Sequence, residues 1–279
     1  MMQLGKVQTL TLLRMKDAGA YLGEKGSEDS VLLPRAEVPE GAGPGTEIPV
    51  FLYRDSEDRL IATTKTPPME VGGIARLKVA QETEIGAFLE WGLLKDLFLP
   101  FKEQRMRLKP GMEVLVALYV DKSQRLCATM NLYPYLQNDA TYQKNDRVSG
   151  TVYEVKEGLG AFLAVDDRYF GMIPEQELYT RYTVGEQVTA RVLKVRPDGK
   201  LDLSGRKKAY VQMDEDSERV WNAIQEYDGV LPFTDKADAE QIKQELQLSK
   251  NAFKRAVGRL LKEGKIEIKE KTIEAKKQK

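Results

Sequence analysis

The chain contains no histidine among its 279 residues. Histidine is the commonest general base, the usual activator of a serine or cysteine nucleophile and a frequent zinc ligand. Its absence excludes catalytic triads, cysteine-histidine dyads and imidazole-ligated metal sites. Carboxylates could still bind magnesium, but no compact cluster of Asp and Glu stands out in the sequence. We therefore expect a protein that is not an enzyme and that holds neither a metal ion nor a cofactor.

The chain has a single cysteine, Cys127, so a disulfide within the chain is excluded. Cys127 lies in the apolar, alternating segment 125–130, where a buried thiol is the ordinary role. The sequence also lacks the run of about eighteen apolar residues that a membrane helix needs, and the basic and apolar pattern of a signal peptide. These absences predict a cytoplasmic protein without a membrane partner.

Net charge is absent too. The 43 Lys and Arg residues balance 43 Asp and Glu residues. Composition by itself therefore predicts no polyanionic partner. A surface that binds nucleic acid would have to arise from segregation of charge along the chain.

The sequence repeats one pattern three times. The phrase Gly-Ala-aromatic-Leu begins at Gly19, Gly86 and Gly160. A proline follows 14 or 15 residues later, and a glutamate stands three positions after it. The proline and glutamate pairs are Pro34 with Glu37, Pro100 with Glu103, and Pro174 with Glu177. A glycine, an alternating apolar segment and a charged turn complete each copy.

Short alternating segments rich in Val, Leu and Tyr, divided by Gly, Asp and Pro, are typical of β-strands. In the third copy they predict five strands, over residues 148–155, 160–165, 169–173, 188–195 and 200–204. Five short strands in so few residues favour a small closed barrel of the OB type, whose open face commonly binds oligonucleotides. The predicted barrels cover residues 1–66, 67–137 and 144–210.

The pattern changes to helical spacing near Asp214. Helices are predicted over residues 217–227 and 238–246, and a third begins after Ser249, a suitable N-cap. Gly264 ends the third helix, and residues 265–273 alternate like a hairpin. Three helices with a short turn before the third, followed by a β-wing, predict a winged helix-turn-helix over residues 214–274. A basic tail, residues 275–279, follows.

The third copy resembles the S1 RNA-binding domain. It contains Gly-Ala-Phe, Val-Gly-Glu-x-Val and Leu-Asp-Leu-Ser-x-Arg in that order within residues 146–208. Together with the C-terminal segment, nearly the whole chain resembles the conserved virulence factor B family of bacterial S1 proteins. The predicted fold is therefore mainly β with an α-helical C-terminus: three tandem five-stranded OB/S1-type barrels followed by a winged helix-turn-helix domain. The resemblance implies regulation of gene expression after transcription, including virulence genes in pathogens.

The resemblance also implies candidate RNA-binding residues. In S1 domains the aromatic residue of the Gly-Ala-aromatic phrase faces RNA, and Tyr21, Phe88 and Phe162 match it. The family's aromatic residue before the glycine is missing from all three copies, and proline replaces its strand-three histidine. The third copy adds aromatic and basic residues that can stack on bases and hold phosphates. The candidates in this copy are Phe162, Tyr169, Phe170, Arg196, Lys200, Arg206, Lys207 and Lys208.

Charge also favours the third copy as the main RNA-binding barrel. Residues 144–210 hold 12 basic and 10 acidic residues, whereas residues 1–66 hold 8 and 10. Tyr21 and Phe88 have no group of basic residues near them in the sequence and are weaker candidates. Packing within the barrel is their alternative role. Arg59 and Arg125 match a basic family position and are also weaker candidates. Exposed turn charges, paired with Asp55 and Asp121, are their alternative role.

The C-terminal segment is electrically polarised. Residues 243–279 hold 12 basic and 5 acidic residues, whereas residues 211–242 hold 2 and 9. The exposed face of the third helix lies where a recognition helix would meet nucleic acid. Its basic residues, a second group of candidate contacts, are Lys250, Lys254, Arg255, Arg259 and Lys262. A solvated charged helix is the alternative.

The sequence favours a monomeric protein whose partner is single-stranded RNA. Bases would stack on Phe162 and Phe170 while the cations hold phosphates, and the winged helix would add a second contact. One alternative is a DNA-binding transcription regulator, for which dimerisation is expected. Another is a scaffold for protein partners whose barrels have lost RNA binding. A ribonuclease or RNA-modifying enzyme is disfavoured by the missing histidines.

Overall fold

The computed structural model describes residues 2–27, 29–178, 180–205 and 209–276, with only the backbone for residues 209–215. The chain divides into two compact units, Met1–Arg206 and Lys207–Lys279. Within the described ranges, no helix is long and apolar enough to cross a membrane.

The first unit contains three closed barrels. Barrel one consists of β1 (Val7–Lys16), β2 (Gly19–Gly23), β3 (Val31–Pro34), β4 (Glu47–Arg54) and β5 (Leu60–Thr63). Barrel two consists of β6 (Ile74–Thr83), β7 (Gly86–Glu90), β8 (Leu97–Pro100), β9 (Glu113–Val120) and β10 (Leu126–Thr129). Barrel three consists of β11 (Arg147–Lys156), β12 (Gly160–Val165), β13 (Tyr169–Pro174), β14 (Gln187–Val195) and β15 (Leu201–Ser204).

All three barrels share one topology. In barrel one the strand order is β1-β2-β3-β5-β4, and pairing of β1 with β4 closes the barrel. The third and fifth strands are parallel, whereas the other neighbours are antiparallel. The five strands predicted for the third copy are confirmed, and each predicted boundary lies within one residue of the observed one. The turns that divide the strands explain this accuracy, because glycine and aspartate mark them in the sequence.

The repeated glycine has a steric role. Gly19, Gly86 and Gly160 have φ angles of +145°, +155° and +133°. A Cβ atom on Gly160 would lie 2.1 Å from the carbonyl oxygen of Ile173 on the neighbouring strand. Only glycine fits a backbone that approaches its neighbour this closely.

The glutamate after each repeated proline bonds to the end of the fifth strand of its barrel. In barrel three, Glu177 ends a 3-10 turn (Glu175–Glu177), and its carboxylate accepts a 2.6 Å hydrogen bond from the Ser204 hydroxyl at the end of β15. The equivalent bonds, 2.6 Å and 2.7 Å, join Thr63 to Glu37 and Thr129 to Glu103. The hydroxyl-bearing residues are all buried. The proline–glutamate motif is therefore explained by the fold.

Neighbouring barrels contact one another through apolar side chains and through an ion pair. Phe51 of barrel one meets Trp91 of barrel two edge to face, with ring centroids 5.9 Å apart. Between barrels two and three, Arg76 donates hydrogen bonds of 2.7 and 2.8 Å to the carboxylate of Asp167. These contacts explain why the three barrels form one compact unit.

The second unit has the elements of a winged helix. They are α1 (Ala209–Glu226), β16 (Val230–Leu231), α2 (Ala239–Leu246), α3 (Lys250–Lys262), β17 (Ile266–Ile268) and β18 (Ile273–Ala275). The strands form a sheet in the order β16-β18-β17, and the apolar faces of the helices enclose one core. The fold class predicted from the sequence is confirmed.

Details of the second unit differ from the prediction. The first helix begins at Ala209, so the predicted start at Ser217 is wrong. Residues 209–216 contain no glycine or proline that would end a helix, so the helix can begin before the predicted start. The predicted cap of α3 is confirmed, because the Ser249 hydroxyl accepts a 3.2 Å hydrogen bond from the Ala252 amide. Strand β16 lies between the first two predicted helices, where the sequence predicts no strand.

Candidate nucleic-acid interface

The third barrel carries a group of aromatic and basic side chains that we call the aromatic patch. Its members are Tyr133, Lys156, Phe162, Phe170 and Lys200. Strand alternation places Phe162 outside the barrel, because its neighbours Ala161 and Leu163 are fully buried inside. Phe170 lies on the adjacent strand β13, two residues from Met172, the register partner of Phe162, and therefore on the same face.

The aromatic rings of the patch contact one another mainly edge to face. The centroids of Phe162 and Phe170 are 6.1 Å apart, and those of Tyr133 and Phe170 are 5.5 Å apart. Tyr133 is 51% exposed, whereas Phe170 is only 5% exposed. Tyr153 lies beside Phe162 at 6.3 Å and is itself buried. The open rings are therefore Tyr133 and the half-buried Phe162, while Phe170 lies beneath them as support.

Lys200 is the cation at one end of the patch. Its ammonium group lies 5.6 Å from the ring centroid of Tyr133 and 5.3 Å from that of Phe170. It also forms an ion pair of 3.2 Å with Asp198. Hydrogen bonds to Asp198 and Tyr133 raise the pKa of Lys200, so it remains cationic at neutral pH. Cation–π contacts of this kind hold the charge next to the rings.

Lys156 supplies a second cation. Its ammonium group lies 5.4 Å from the centroid of Phe162 and 3.1 Å from the carboxylate of Glu154. The side chain is half exposed. Lys156 was not among the predicted residues, because it lies at the far end of β11 and meets Phe162 only through strand pairing.

Tyr133 was also missed by the prediction. It comes from the segment between barrels two and three, in the 3-10 turn Tyr133–Tyr135. The only sequence signal is an aromatic pair around a proline, Tyr-Pro-Tyr, outside the predicted strands. The contact with Phe170 depends on the path of this connection across barrel three, which strand periodicity cannot predict.

Of the other predicted residues of barrel three, Tyr169 lies apart from the patch, whereas Arg196 lies beside Lys200, to whose carbonyl oxygen its backbone N–H donates a 2.8 Å hydrogen bond. Tyr169 meets Tyr142 edge to face at 5.9 Å, and the Arg168 guanidinium lies 5.1 Å from its ring. Adjacent residues of a strand face opposite sides, so Tyr169 and Phe170 diverge. Arg196 donates a 2.7 Å hydrogen bond to Asp202, which raises the pKa of its guanidinium. The predicted contacts Arg206, Lys207 and Lys208 lie outside the described residues.

The expectation that Tyr21 lacks basic neighbours is wrong. Arg14 and Lys16 lie over its ring, at 4.8 Å and 5.3 Å from the centroid. Antiparallel pairing of β1 with β2 aligns Arg14 with Tyr21, a contact that sequence separation conceals. In barrel two, Phe88 instead packs against Phe98, with centroids 5.2 Å apart.

The two weaker basic candidates also differ from each other. Arg59 forms the predicted turn pair with Asp55 at 2.8 Å. Burial alone would raise the pKa of Asp55, but hydrogen bonds from Arg59 outweigh it and lower the value. The predicted partner of the Arg125 side chain was wrong: its guanidinium pairs with Asp58 of barrel one, while Asp121 accepts only its backbone N–H. Arg125 therefore joins two barrels.

The basic face of α3 is partly free. Lys254, Arg255 and Lys262 are exposed, and Lys250 is half-buried at the first turn. Arg259 is also half-buried and forms a 2.8 Å ion pair with Glu263, one turn later. The burial of Ala252, Phe253 and Ala256 fixes the opposite face in the core. Three cations of this helix therefore point into solvent.

No group of His, Cys, Asp and Glu side chains within the described ranges has the arrangement of a metal site. The aromatic patch combines open rings with ammonium groups. A ligand could therefore stack on the rings and contact the cations. Such a combination can bind bases and phosphates together.

Models of three protein families match the chain. A model described as S1 domain matches residues 4–65 and 71–131. A model described as Virulence regulatory factor CvfB, second domain, matches residues 134–207. The C-terminal residues 218–274 match the CvfB-like winged helix domain.

Relatives cover nearly the full length. The chain is 31% identical over 275 residues to Uncharacterized protein YitL of Bacillus subtilis, covering 95% of this chain and 91% of that protein. It is 26% identical to Conserved virulence factor B of Staphylococcus aureus, with the same two coverages. The fold is similar to the crystal structure of a multidomain protein with nucleic acid binding domains from Streptococcus pneumoniae, with a TM-score of 0.50, 22% identity and 98% coverage of both chains.

Proposed function

Because the chain belongs to the conserved virulence factor B family, we propose that it binds single-stranded RNA and regulates gene expression after transcription. The aromatic patch is the observation that carries this proposal. Tyr133 and Phe162 would stack on two bases, Phe170 would support both rings, and Lys156 and Lys200 would contact the phosphates. The chain would act by binding rather than as an enzyme.

Two further features, a similar solved structure and the cations of α3, support a nucleic-acid ligand. The pneumococcal structure with a similar fold is described as having nucleic acid binding domains. Sequence-independent contacts to single strands combine aromatic rings with cations, which is the composition of the patch. The exposed cations of α3 would add a second weak contact, and linkage of weak sites in one chain raises overall affinity through effective concentration.

Fluorescence anisotropy with a labelled single-stranded RNA tests this proposal. Phe162→Ala combined with Lys200→Ala removes a stacking ring and a cation, and we expect affinity to fall at least tenfold, since stacking alone contributes about 1–3 kcal/mol per base. Phe101→Ala combined with Lys102→Ala is the matched control, because it removes an exposed aromatic residue and a neighbouring lysine from barrel two.

The salt dependence of RNA binding reports how many phosphates the protein contacts. The logarithm of the binding constant should fall linearly with the logarithm of salt concentration, by about 0.7 per phosphate contacted. The patch variant should show a shallower slope than the wild type. Binding that the patch variant leaves unchanged would contradict the proposed site, and absence of RNA binding would favour the scaffold for protein partners.

A DNA-binding transcription regulator is the second candidate. The solvent-facing Lys254, Arg255 and Lys262 of α3 favour it, because a recognition helix presents cations to a groove. Under this alternative the chain would prefer duplex DNA and form a dimer, since such proteins pair on two half-sites. Competition between duplex DNA and RNA, with sedimentation to measure the oligomeric state, distinguishes the two functions. A monomer that prefers single-stranded RNA would contradict the DNA reading.

A further inference from the structure

The segment between barrels two and three crosses the surface of barrel three, and we call its residues 132–142 the strap. Its first residue, Leu132, is buried in an apolar cluster that includes Ala117 of β9 and Ala164 of β12. Tyr133, the most open ring of the aromatic patch, comes next. The strap is therefore anchored between the two barrels and carries one member of the patch.

The strap adds a β-bridge to strand β13. The N–H of Gln137 donates a 2.9 Å hydrogen bond to the carbonyl oxygen of Arg168, and the N–H of Phe170 donates a 3.0 Å bond to the carbonyl oxygen of Gln137. The Arg168 guanidinium also donates to the side-chain oxygen of Gln137. Strand β15 pairs with β13 further along, at Gly171 and Met172. The bridge therefore ties the strap to the backbone of Phe170, the supporting ring of the patch.

A second contact ties the strap to the turn between β14 and β15. The side-chain amide of Asn138 donates a 2.7 Å hydrogen bond to the carbonyl oxygen of Asp198. The Asp198 carboxylate forms the 3.2 Å ion pair with Lys200 and also accepts a 3.2 Å bond from the backbone N–H of that lysine. One turn therefore holds both the strap and a cation of the patch.

Gly199 of this turn is required by the strap and not by the turn. Its φ angle is +79°, and the matching residues of barrels one and two, Asp58 and Gln124, have φ angles of +61° and +60°. The three turns share the same backbone hydrogen bonds, here from the Gly199 N–H to the carbonyl oxygen of Arg196. The turn thus accommodates a side chain, but a Cβ atom on Gly199 would overlap the carbonyl oxygen of Asn138. Glycine at this position lets the strap approach the turn.

We propose that Gly199 and Asn138 are positioning residues for the RNA site of barrel three, because they let the strap close and hold Tyr133 on the aromatic patch. The strap would thereby set the RNA affinity of this barrel. A ring that is held in place before binding avoids the cost of ordering it when RNA arrives. This inference rests on the proposed function for its ligand, but closure of the strap can be measured without RNA.

Hydrogen exchange followed by NMR measures closure of the strap in the free protein. Asparagine tolerates a positive φ angle but has a Cβ atom, so Gly199→Asn should keep the turn and displace the strap. The amide protons of Gln137 and Phe170 should then exchange about tenfold faster than in the wild type, since both donate in the bridge.

Gly111→Asn is the matched control for this variant. Gly111 of barrel two has a φ angle of +88°, and a Cβ atom there would have no neighbour within 4 Å among the described residues. The substitution should leave the exchange of the Gln137 and Phe170 amides unchanged.

Anisotropy with a labelled single-stranded RNA tests what closure contributes to binding. Gly199→Asn should weaken binding about tenfold, as much as Tyr133→Ala, because the ring is no longer held in place. Asn138→Ala removes one hydrogen bond and should weaken binding about threefold. In the Tyr133→Ala background neither change should weaken binding further, since both act through that ring. General damage to barrel three would instead add to the loss.

Unchanged exchange of the Gln137 and Phe170 amides in Gly199→Asn would overturn the proposal. A loss of affinity that persists in full in the Tyr133→Ala background would also overturn it. RNA binding that falls in Tyr133→Ala but in neither strap variant would overturn the role of the strap and leave the proposed function standing. Absence of RNA binding in the wild type would overturn the proposed function and the role of the strap in binding together. Asn138 is exposed, so Asn138→Ala tests the proposal even if Gly199→Asn fails to fold.

Discussion

Exposure separates the aromatic residues of the patch into two roles. A base can stack only on an open ring face, and Tyr133 exposes 51% of its surface where Phe170 exposes 5%. Lys200 contacts both rings, so it fixes their positions as well as supplying charge. We therefore expect the stacking energy to come mainly from Tyr133 and Phe162.

Replacement of Tyr133 tests this assignment. Tyr133→Ala should weaken binding of single-stranded RNA about tenfold, as expected for the loss of one stacked base. Tyr133→Phe keeps the ring and should remain within about twofold of the wild type, because stacking needs the ring and not the hydroxyl. Anisotropy titrations measure both. Wild-type affinity in Tyr133→Ala would show that this ring does not contact RNA.

Cys127 provides a pH-dependent prediction. Burial raises the pKa of its thiol to about 11, and the nearby carboxylate of Asp121 adds to the shift. A raised pKa means less thiolate at any pH below it, and thiolate is the reactive form. Alkylation of the native protein by iodoacetamide should therefore be slow at pH 7 and rise about tenfold per pH unit up to about pH 10.

The unfolded chain is the control for this measurement. In urea the rate should level off near the ordinary thiol pKa of about 8.5. A native protein whose rate levels off at that same pH would contradict the raised pKa.

Residue contacts were only partly predictable from the sequence. Phe162 follows from alternation within its own strand, which is a local property. Tyr133, Lys156 and Arg14 reach their aromatic partners through strand register or through the path of a connection. These depend on how distant segments pair, so neither spacing nor composition could identify them.

At the scale of elements, local signals explain where the prediction succeeded. The strands of barrel three were predictable because glycine and charged turns interrupt each alternating run. The start of α1 was not, because the acidic run Asp214 to Asp216 interrupts the apolar spacing before Ser217. The two-residue strand β16 is too short for any period to appear.

The glutamate that bonds to the fifth strand of each barrel gives a prediction at this scale. Thr129→Val in barrel two removes the hydroxyl that donates to Glu103 and leaves that carboxylate without the bond. We expect a loss of about 1.5–3 kcal/mol in the free energy of unfolding, the usual value for a hydrogen bond to a charged group. Trp91 fluorescence in the Trp221→Phe background, followed through urea unfolding, reports on this barrel.

Thr129→Ser is the matched control. It keeps the hydroxyl and should lose less than about 1 kcal/mol. Equal stability of Thr129→Val and the wild type would indicate that this hydrogen bond contributes nothing to the stability of the barrel.

At the scale of the whole molecule, a chain of zero net charge can still bind a polyanion if its cations meet aromatic rings locally. The three barrels share apolar contacts and cross-barrel ion pairs, so they form one compact unit. The aromatic patch exists only in this assembly, because Tyr133 comes from the connection between barrels two and three. An isolated third barrel without that connection would lack its most open ring.

The most direct test of the RNA site is photo-crosslinking. Single-stranded RNA that contains 4-thiouridine would be irradiated in complex with the full chain, and the crosslinked peptides identified by mass spectrometry. We expect crosslinks in the peptides that contain Tyr133 and Phe162, and these should be lost when excess unlabelled RNA competes. Crosslinks confined to barrels one and two or to the winged helix, with none in those two peptides, would contradict it.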